Sequence, residues 1–474
     1  MSTLPPELSE RLRDLVKLSP IVDDLAKRFV KAGHELYLVG GSVRDALLGR
    51  LHDDLDFTTN ATPEQTLEAV RGWHDGTWLA GVQFGTVGVN KQGHRLEITT
   101  FRAERYAEDS RNPQVEHVTS VDADLERRDF TINAMALRLP DRTFVDPFGG
   151  VRDLAARVLR TPGAPEDSFG DDPLRMLRAA RFVAQLDLSP DPALVAAMKQ
   201  MAGRLSIVSA ERIADELTKL LNSQAPSKGL DLATDTGLCE LFLPELPALR
   251  LEQDPVNRHK DVYRHTLAVL DKIVSSGPEG EPDAVLRMAG LLHDIGKPAT
   301  RRIGPEGVSF HHHEVVGAKI ARKRLRELRF PNEFTDEVCE LIELHLRFHT
   351  FRMGWSDSAV RRYVRDAGPL LDRLNTLVRC DCTTRNKARA RELSDAMDAL
   401  EERIAHLAAE EDLKSIRPPI DGTDVMAHLG VAPGPVVGRA LAHLLEIRLD
   451  RGEYSREEAF ALLDEWAREQ GARE

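Results

Sequence analysis

In "LVGGSVRDALLGRLHDDLDFTT" (residues 38–59) a glycine pair, Gly40 and Gly41, follows an apolar run, and Asp54 and Asp56 stand two residues apart soon after. A glycine turn lets a phosphate approach the backbone because no Cβ intervenes. The short helix expected over "SVRDALLG" would aim its N-terminus at that anion. Residues two apart on a strand project from one face, so Asp54 and Asp56 form a same-face carboxylate pair. Such a pair suits hard cations such as Mg²⁺, which bind through one or two carboxylates plus substrate phosphates. Two such ions, about 3.5–4 Å apart, clamp the attacking and leaving oxygens in phosphoryl transfer. Glu97 in "HRLEITTF" offers a third carboxylate from a neighbouring strand.

The elements that must carry these residues follow from periodicity. "ELYLVG", "LDFTT", "GTVGVN", "HRLEITTF" and "TFVDPF" read as strands mixed with helices over residues 35–160, an α/β or α+β texture, and residues 1–30 read as helical. From about residue 165 the period is helical, as in "DPLRMLRAARFVAQL" and "ERIADELTKLLNS". "SSGPEGEP" (275–282) reads as an exposed loop and "RPPIDG" (417–422) as a linker before a last helical segment. A chain of 474 residues exceeds one ordinary core and implies two to four domains. The formal net charge of −13 argues against indiscriminate coating of nucleic acid yet accommodates a local basic groove. Cys239, Cys339, Cys380 and Cys382 form no paired clusters, so neither a disulfide framework nor a cysteine zinc site is indicated. There is no secretory-signal pattern and no apolar run of membrane-crossing length, so a soluble cytoplasmic protein is expected.

"GGSVRDALLG" and "DDLDF", followed in order by "RRDFTINAMA" (127–136), "DPFGGVRDL" (146–154) and "DDPLRMLRAARF" (171–182), resemble the class II tRNA nucleotidyltransferases, the CCA-adding enzymes, and their poly(A) polymerase relatives. The resemblance implies an α+β, mostly α chain: a polymerase β-like nucleotidyltransferase head, then a helical neck, a body and a tail. It also implies that Asp54 and Asp56 are the catalytic metal ligands, and that Gly40, Gly41, Arg44, Arg128, Asp129, Asn133, Asp172, Arg175 and Arg178 bind the nucleotide.

The later motifs have a logic of their own. Asp129 and Asn133 lie four apart on an expected helix and would face one side, with the Arg128 guanidinium suited to phosphate or ribose oxygens. Cytosine and adenine each present an amino donor beside a ring-nitrogen acceptor, whereas uracil and guanine present a carbonyl beside an N–H. A carboxylate next to an arginine is therefore complementary to C and A. Asp172 and Arg175, three apart on an expected helix, match the family's base-reading positions. A site of this kind rejects a mismatched edge by about 10⁴-fold. The family's usual Glu-Asp is Asp171-Asp172 here, which bears on how Arg175 is oriented. "FRAERYAEDSRNPQVEHV" resembles the mobile loop that full CCA-adding enzymes use to switch from C to A, with Arg102 and Glu104 at the expected spacing.

The second half carries a different set. His265 in "YRHT", His293-Asp294 in "LLHDIGKP" and Asp381 in "RCDC" follow the H…HD…D order of the HD phosphohydrolase superfamily, a resemblance covering about residues 255–395. His313 and His345 occupy the places where two-metal HD proteins add ligands. Imidazole and carboxylate suit a divalent transition metal that polarises a phosphate and activates water. Basic clusters at Lys319–Arg329, Arg361–Arg365 and Arg385–Arg391 read either as a stripe tracking an RNA backbone or as solvated helix faces.

The expected organisation is a head with an N-terminal helix over 1–160, a neck for base recognition and RNA binding over 161–250, an HD metal-binding domain over 251–395 and a helical tail over 396–474. The expected activity is template-independent addition of CCA to the tRNA 3′ end from CTP and ATP, with Mg²⁺ in the head and a transition metal in the HD domain. A poly(A) polymerase on the same scaffold is one alternative. An HD phosphohydrolase with a vestigial head is another, and the intact Gly40, Gly41, Asp54, Asp56, Asp129 and Arg175 count against it.

Overall fold

A computed structural model describes residues 20–50, 54–79, 81–82, 85–105, 114–117, 120–251, 261–276, 282–305, 307–382, 387–411, 413 and 416–471. The beginning of the expected N-terminal helix and the centre of the charged loop, 106–113, lie outside these residues. The chain divides into two compact units, Met1–Pro244 and Glu245–Glu474.

The first unit is built on β1 (Leu36–Val39), β2 (Asp54–Thr59), β3 (Gly76–Trp78), β4 (Thr86–Lys91), β5 (His94–Thr100), β6 (Arg102–Arg105), β7 (Gln114–His117), β8 (Ala136–Leu139) and β9 (Phe144–Val145). Seven of them form one sheet in the order β3-β4-β5-β2-β1-β8-β9, and β6 pairs with β7 as a separate ribbon. All pairs in the large sheet are antiparallel except β2 with β5, which is parallel. That pairing sets Asp56 beside Glu97 in register.

Alternation along the strands divides the apolar side chains between two faces. Leu36 and Leu38 join Phe57, Leu96 and Ile98 on one face, whereas Tyr37 and Val39 join Phe101, Leu125 and Ala136 on the other. The helix Pro20–Lys31 closes the first face with Ile21, Val22, Leu25, Ala26 and Phe29, buried at three and four spacing. Each large apolar side chain so buried contributes about 1.5–3 kcal/mol.

Two local expectations are corrected. Asp129 and Asn133 do not share a helix: the chain runs through a turn into a single 3₁₀ turn, Thr131–Asn133. Nor do Asp172 and Arg175, because Asp172 terminates the helix Pro165–Asp171 in an extended conformation and the next helix, Leu174–Leu186, begins beyond Pro173. Proline disfavours a helical conformation in the residue before it, which separates the two elements at this point.

The helices Leu174–Leu186, Ala210–Leu221 and Pro226–Asp235 pack together behind the sheet unit's motifs. A Cβ on Gly229 would stand 2.4 Å from the Ala180 carbonyl oxygen, so only glycine permits that helix approach. Glu216 and Arg181 form a buried ion pair joining two of these helices.

In the second unit, helices Val262–Ser276, Ala284–Leu292, His313–Glu327, Asn332–Leu344 and Leu371–Asp381 surround a buried polar centre. A Cβ on Gly296 would lie 2.1 Å from the His313 carbonyl oxygen, which explains the glycine in "HDIGKP". The last three helices, Gly422–Leu429, Pro435–Arg451 and Arg456–Gly471, pack around Val425, Leu444, Leu463 and Trp466.

In the basic cluster at 361–365 one of the three arginines is buried rather than solvated. Arg361 is buried against Glu411, which also takes Arg448, while Arg362 pairs with Glu446 and Asp450. Of the cluster at 319–329, Arg322 pairs with Asp336 and Arg324 with Glu245. Among the described residues no helix is long and apolar enough to cross a membrane.

Candidate active site and metal centre

The glycine turn after β1 is fixed by conformation and by a neighbour. Gly40 has φ +67° and ψ −131°, a region that costs other residues about 1–3 kcal/mol, and a Cβ there would meet Arg128 Nη1 at 2.8 Å. Ser42 ties the turn to β2: its hydroxyl accepts from the Asp56 amide at 3.1 Å. The helix that follows is Gly41–Leu47, and its Arg44 is buried, donating to both Asp45 oxygens and to Asn133 Oδ1.

Asp54 and Asp56 both project from the exposed face of β2, with Glu97 exposed on the same side of β5. Asp56 is pushed above the usual carboxylate range by burial, with the Glu97 and Asp54 charges adding to it and Arg128 opposing. A carboxylate cluster whose own charges resist ionisation fits a cation that relieves them. Its oxygens do not close into a tight cluster like those of the second unit. That suits an ion drawing the rest of its shell from phosphate and water.

Asp129 is the hub of the next layer. Its Oδ1 accepts from Asn133 Nδ2 at 2.9 Å and from the Phe130 amide at 2.9 Å, while Oδ2 takes Arg178 Nε at 2.9 Å and Nη2 at 2.5 Å. Burial works against its charge, but the Arg178 guanidinium and the Asn133 amide outweigh it and hold the carboxyl well below its usual range. "DPFGGVRDL" braces this turn. Asp146 accepts from the Gly150 and Val151 amides, and Asp153 accepts from Thr131 Oγ1 at 2.8 Å. A Cβ on Gly150 would stand 2.2 Å from the Thr131 carbonyl oxygen. Below the turn, the buried Phe182 ring lies under Arg44, Arg178 and Arg181 at 5.2, 5.6 and 4.1 Å.

Asp172 and Arg175 reach a common space from separate elements. Arg175 donates to Ser168 Oγ at 2.9 Å and to the Arg127 carbonyl at 2.6 Å, so a serine and a backbone oxygen orient it. Asp172 accepts from Arg212 Nη2 at 2.6 Å. One cavity of about 320 Å³ is lined by Asp56, Arg128, Asp129, Asp172, Arg175, Arg178 and Arg212.

Arg212, Ser168 and Ser42 are absent from the residues that motif reading selected. Arg212 had a visible signal: it lies four residues before Glu216 in "ERIADEL", one turn away on the same helix. The serines carried none. Of the loop residues Arg102 and Glu104, only the backbone in β6 is described.

In the second unit the ligand candidates sit at helix ends. His293 follows Ala284–Leu292, His313 opens His313–Glu327, His345 follows Asn332–Leu344 and Asp381 ends Leu371–Asp381. Nδ1 of His293, His313 and His345 bonds to the carbonyls of Gly290, Phe310 and Ile342 at 2.9, 2.8 and 2.6 Å. Each such bond engages Nδ1 as a donor and leaves Nε2 for a metal, or for a proton that a metal would displace. All three Nε2 atoms are buried without a hydrogen-bond partner. Orphaned buried nitrogens converging on carboxylates fit metal ligation.

Two clusters form, His265 with His293 and Asp294, and Asp294 with His313 and His345, so Asp294 bridges them. Asp381 Oδ1 stands 2.8 Å from His265 Nε2 and 3.5 Å from His293 Nε2. Of the tandem histidines it is His313 that faces inward, 3.3 Å from Asp294, while His312 is exposed. Burial opposes a charge on His293, but Asp294 and Asp381 outweigh it and raise it to about 10. His345 is pushed down to about 4, by burial first and by the His293 charge.

Residues 36–160 match the poly A polymerase head domain, 187–249 the probable RNA and SrmB-binding site of polymerase A, and 262–408 the HD domain. An A-adding tRNA nucleotidyltransferase of Deinococcus radiodurans is 37% identical over 359 residues, 74% of this chain and 80% of that one. A CCA-adding enzyme of Levilactobacillus brevis is 44% identical over 209 residues, 44% of this chain; the match spans about half, 51%, of the relative's length. The crystal structure of the Bacillus stearothermophilus CCA-adding enzyme in complex with CTP superposes with a TM-score of 0.70 at 26% identity, covering 99% of this chain and 100% of that one. With head, RNA-binding and HD matches in order and a relative matched over four-fifths of its length, the chain belongs to the tRNA nucleotidyltransferase family.

Proposed function

We propose that this nucleotidyltransferase completes tRNA 3′ ends without a template, adding C, C and A from CTP and ATP. The observation that carries the reading is the single cavity shared by Asp56, Arg128, Asp129, Asp172 and Arg175, which sets acids, phosphate-binding cations and a base-reading pair around one nucleotide-sized space. Asp54 and Asp56 would hold Mg²⁺, which when bound offsets the triphosphate charge. Arg128, beside the Gly40 turn, directs its guanidinium at the triphosphate. Asp129, Asn133 and Arg178 present a fixed polar surface to the ribose. Asp172 accepts the exocyclic amino group of C or A, and Arg175 donates to the ring nitrogen. The RNA 3′ oxygen attacks the α-phosphorus, the bond to the β-phosphate oxygen breaks, and pyrophosphate leaves as the hydroxyl proton passes to solvent.

A second reading, addition of the terminal A alone, is favoured by the Deinococcus relative, which this chain matches over 80% of its length. Transcripts of one tRNA ending before CCA and after CC, each incubated with single nucleotides, separate the two. CCA addition predicts C, C and then A on the first transcript. A-addition predicts nothing on the first and one A on the second. Long adenylate tails on arbitrary RNA, without CTP use, would overturn both. The HD centre is read as a site for divalent transition metal, with a phosphoester as its substrate class.

A further inference from the structure

We infer that Arg212 is a positioning residue for base selection, holding the Asp172 carboxylate where it accepts a nucleobase amino group; this rests on the reading of Asp172 and Arg175 as the base-reading pair. Asp172 lies in an extended link, φ −142° and ψ 104°, so no helix fixes its side chain. Two donors do. The Leu174 amide donates to Oδ1 at 3.1 Å and Arg212 Nη2 to Oδ2 at 2.6 Å. An ionised carboxylate offers about four lone-pair sites, so sites remain for a base once both donors are seated. The Leu174 contact holds one oxygen; Arg212 fixes the other and with it the plane of the group.

The place of Arg212 is itself determined. One turn further along the helix Ala210–Leu221, the buried Glu216 takes Arg181 from the helix Leu174–Leu186. That pair pins the helix and sets Arg212 at the cavity wall. Arg212 is 47% exposed and Asp172 16%, so truncating the arginine leaves the helix contacts in place and frees mainly the carboxylate. A carboxylate free to turn away no longer opposes the carbonyl that uracil or guanine presents at that position. Selectivity then falls, because rejection of the wrong base depends on a fixed, unpaired acceptor.

The test uses the full chain with a tRNA substrate and measures kcat and KM for all four nucleotides, KM for tRNA, and thermal melting. Arg212→Ala should lower the preference for CTP and ATP over UTP and GTP by about tenfold or more, through a raised KM for the cognate nucleotides, with tRNA KM unchanged. Arg212→Lys should restore part of the preference. Adding Arg212→Ala to Asp172→Ala should cost no further selectivity, because the two residues act as one unit. A uniform loss over four nucleotides with selectivity kept, or a raised tRNA KM, overturns the inference. If Arg212→Ala lowers the melting temperature, Arg212→Gln, which keeps a donor without the charge, decides by the same ratio. Asp172→Ala separates the two levels. If it keeps its selectivity, the base-reading assignment itself fails; if it loses selectivity and Arg212→Ala does not, only the role of Arg212 fails.

Discussion

The two polar centres of this chain satisfy their hydrogen bonds in opposite ways. In the first unit nearly every nitrogen and carboxylate that surrounds the cavity is engaged by another protein group: Arg44 by Asn133, Asn133 by Asp129, Asp129 by Arg178, Arg175 by Ser168 and Asp172 by Arg212. In the second unit three buried imidazole nitrogens make no hydrogen bond among the described residues and stand near carboxylates instead. A site that receives a large solvated anion and releases it each turnover needs side chains held in place between substrates, and mutual pairing does that. A site built around a resident cation keeps its lone pairs vacant for it. Around the cavity the exceptions include Arg128 Nε, buried without a hydrogen bond, and above all Asp54 and Asp56, which make no ion pair among the described residues and face one another's charge.

The largest expected effect follows from that exception. Asp56→Ala removes the acid of the pair that lines the cavity, so nucleotide transfer should fall by about 10³-fold or more, a loss of several kcal/mol of transition-state stabilisation. Ser42 and the glycine turn remain, so the fold should persist by circular dichroism. Near-normal single-turnover incorporation would show that the phosphoryl-transfer centre lies elsewhere, and the contrast between the two units would then collapse.

A second experiment approaches the comparison from the other side. Because Asp294 bridges both ligand clusters whereas His345 belongs to one, Asp294→Ala should abolish tightly bound divalent metal, and His345→Ala should lose about half of it. Elemental analysis of the purified variants reads the stoichiometry directly. Neither variant should change transfer to tRNA by more than about twofold, since the two sites belong to separate compact units. Equal metal loss in both variants would mean that the clusters form a single site.

What the sequence disclosed divides along the same line. The acids, glycines and histidines that do chemistry were legible because residue type and spacing alone announce them: Asp54 with Asp56 on one strand face, His293 next to Asp294 at a helix end. The groups that orient them were not. Ser168 reaches Arg175 from seven residues upstream and Arg127 from 48 residues upstream through a carbonyl, a contact that no side-chain pattern records. Neither Asp129 with Asn133 nor Asp172 with Arg175 shares the helix that their spacing suggested. Asp129 and Asn133 do bond to one another, across a 3₁₀ turn, and Asp172 and Arg175 both line the cavity, from either side of a proline break. Arg361 shows the reverse error, a cation in a basic cluster that proved to be buried against Glu411.

The smallest expected effect tests whether the web around Asp129 bears stability without any ligand, as the contrast requires. Asp129→Asn keeps the shape of the side chain and removes its charge, leaving Arg178 without its anionic partner. The loss of charge-assisted bonds should lower stability by about 2 kcal/mol at neutral pH. The folded state depresses the Asp129 ionisation below its ordinary value. Its stabilisation is therefore fully present above the unfolded value of about 3.9 and declines as pH falls below that, towards the depressed folded value. The variant has no such contribution to lose, so the gap in urea midpoint between wild type and Asp129→Asn should be constant from pH 7 to about 5 and narrow at about pH 3. A gap that stays the same at low pH would mean that Asp129 acts through its shape and its bond to Asn133, and that the first unit is held together by packing rather than by paired charge.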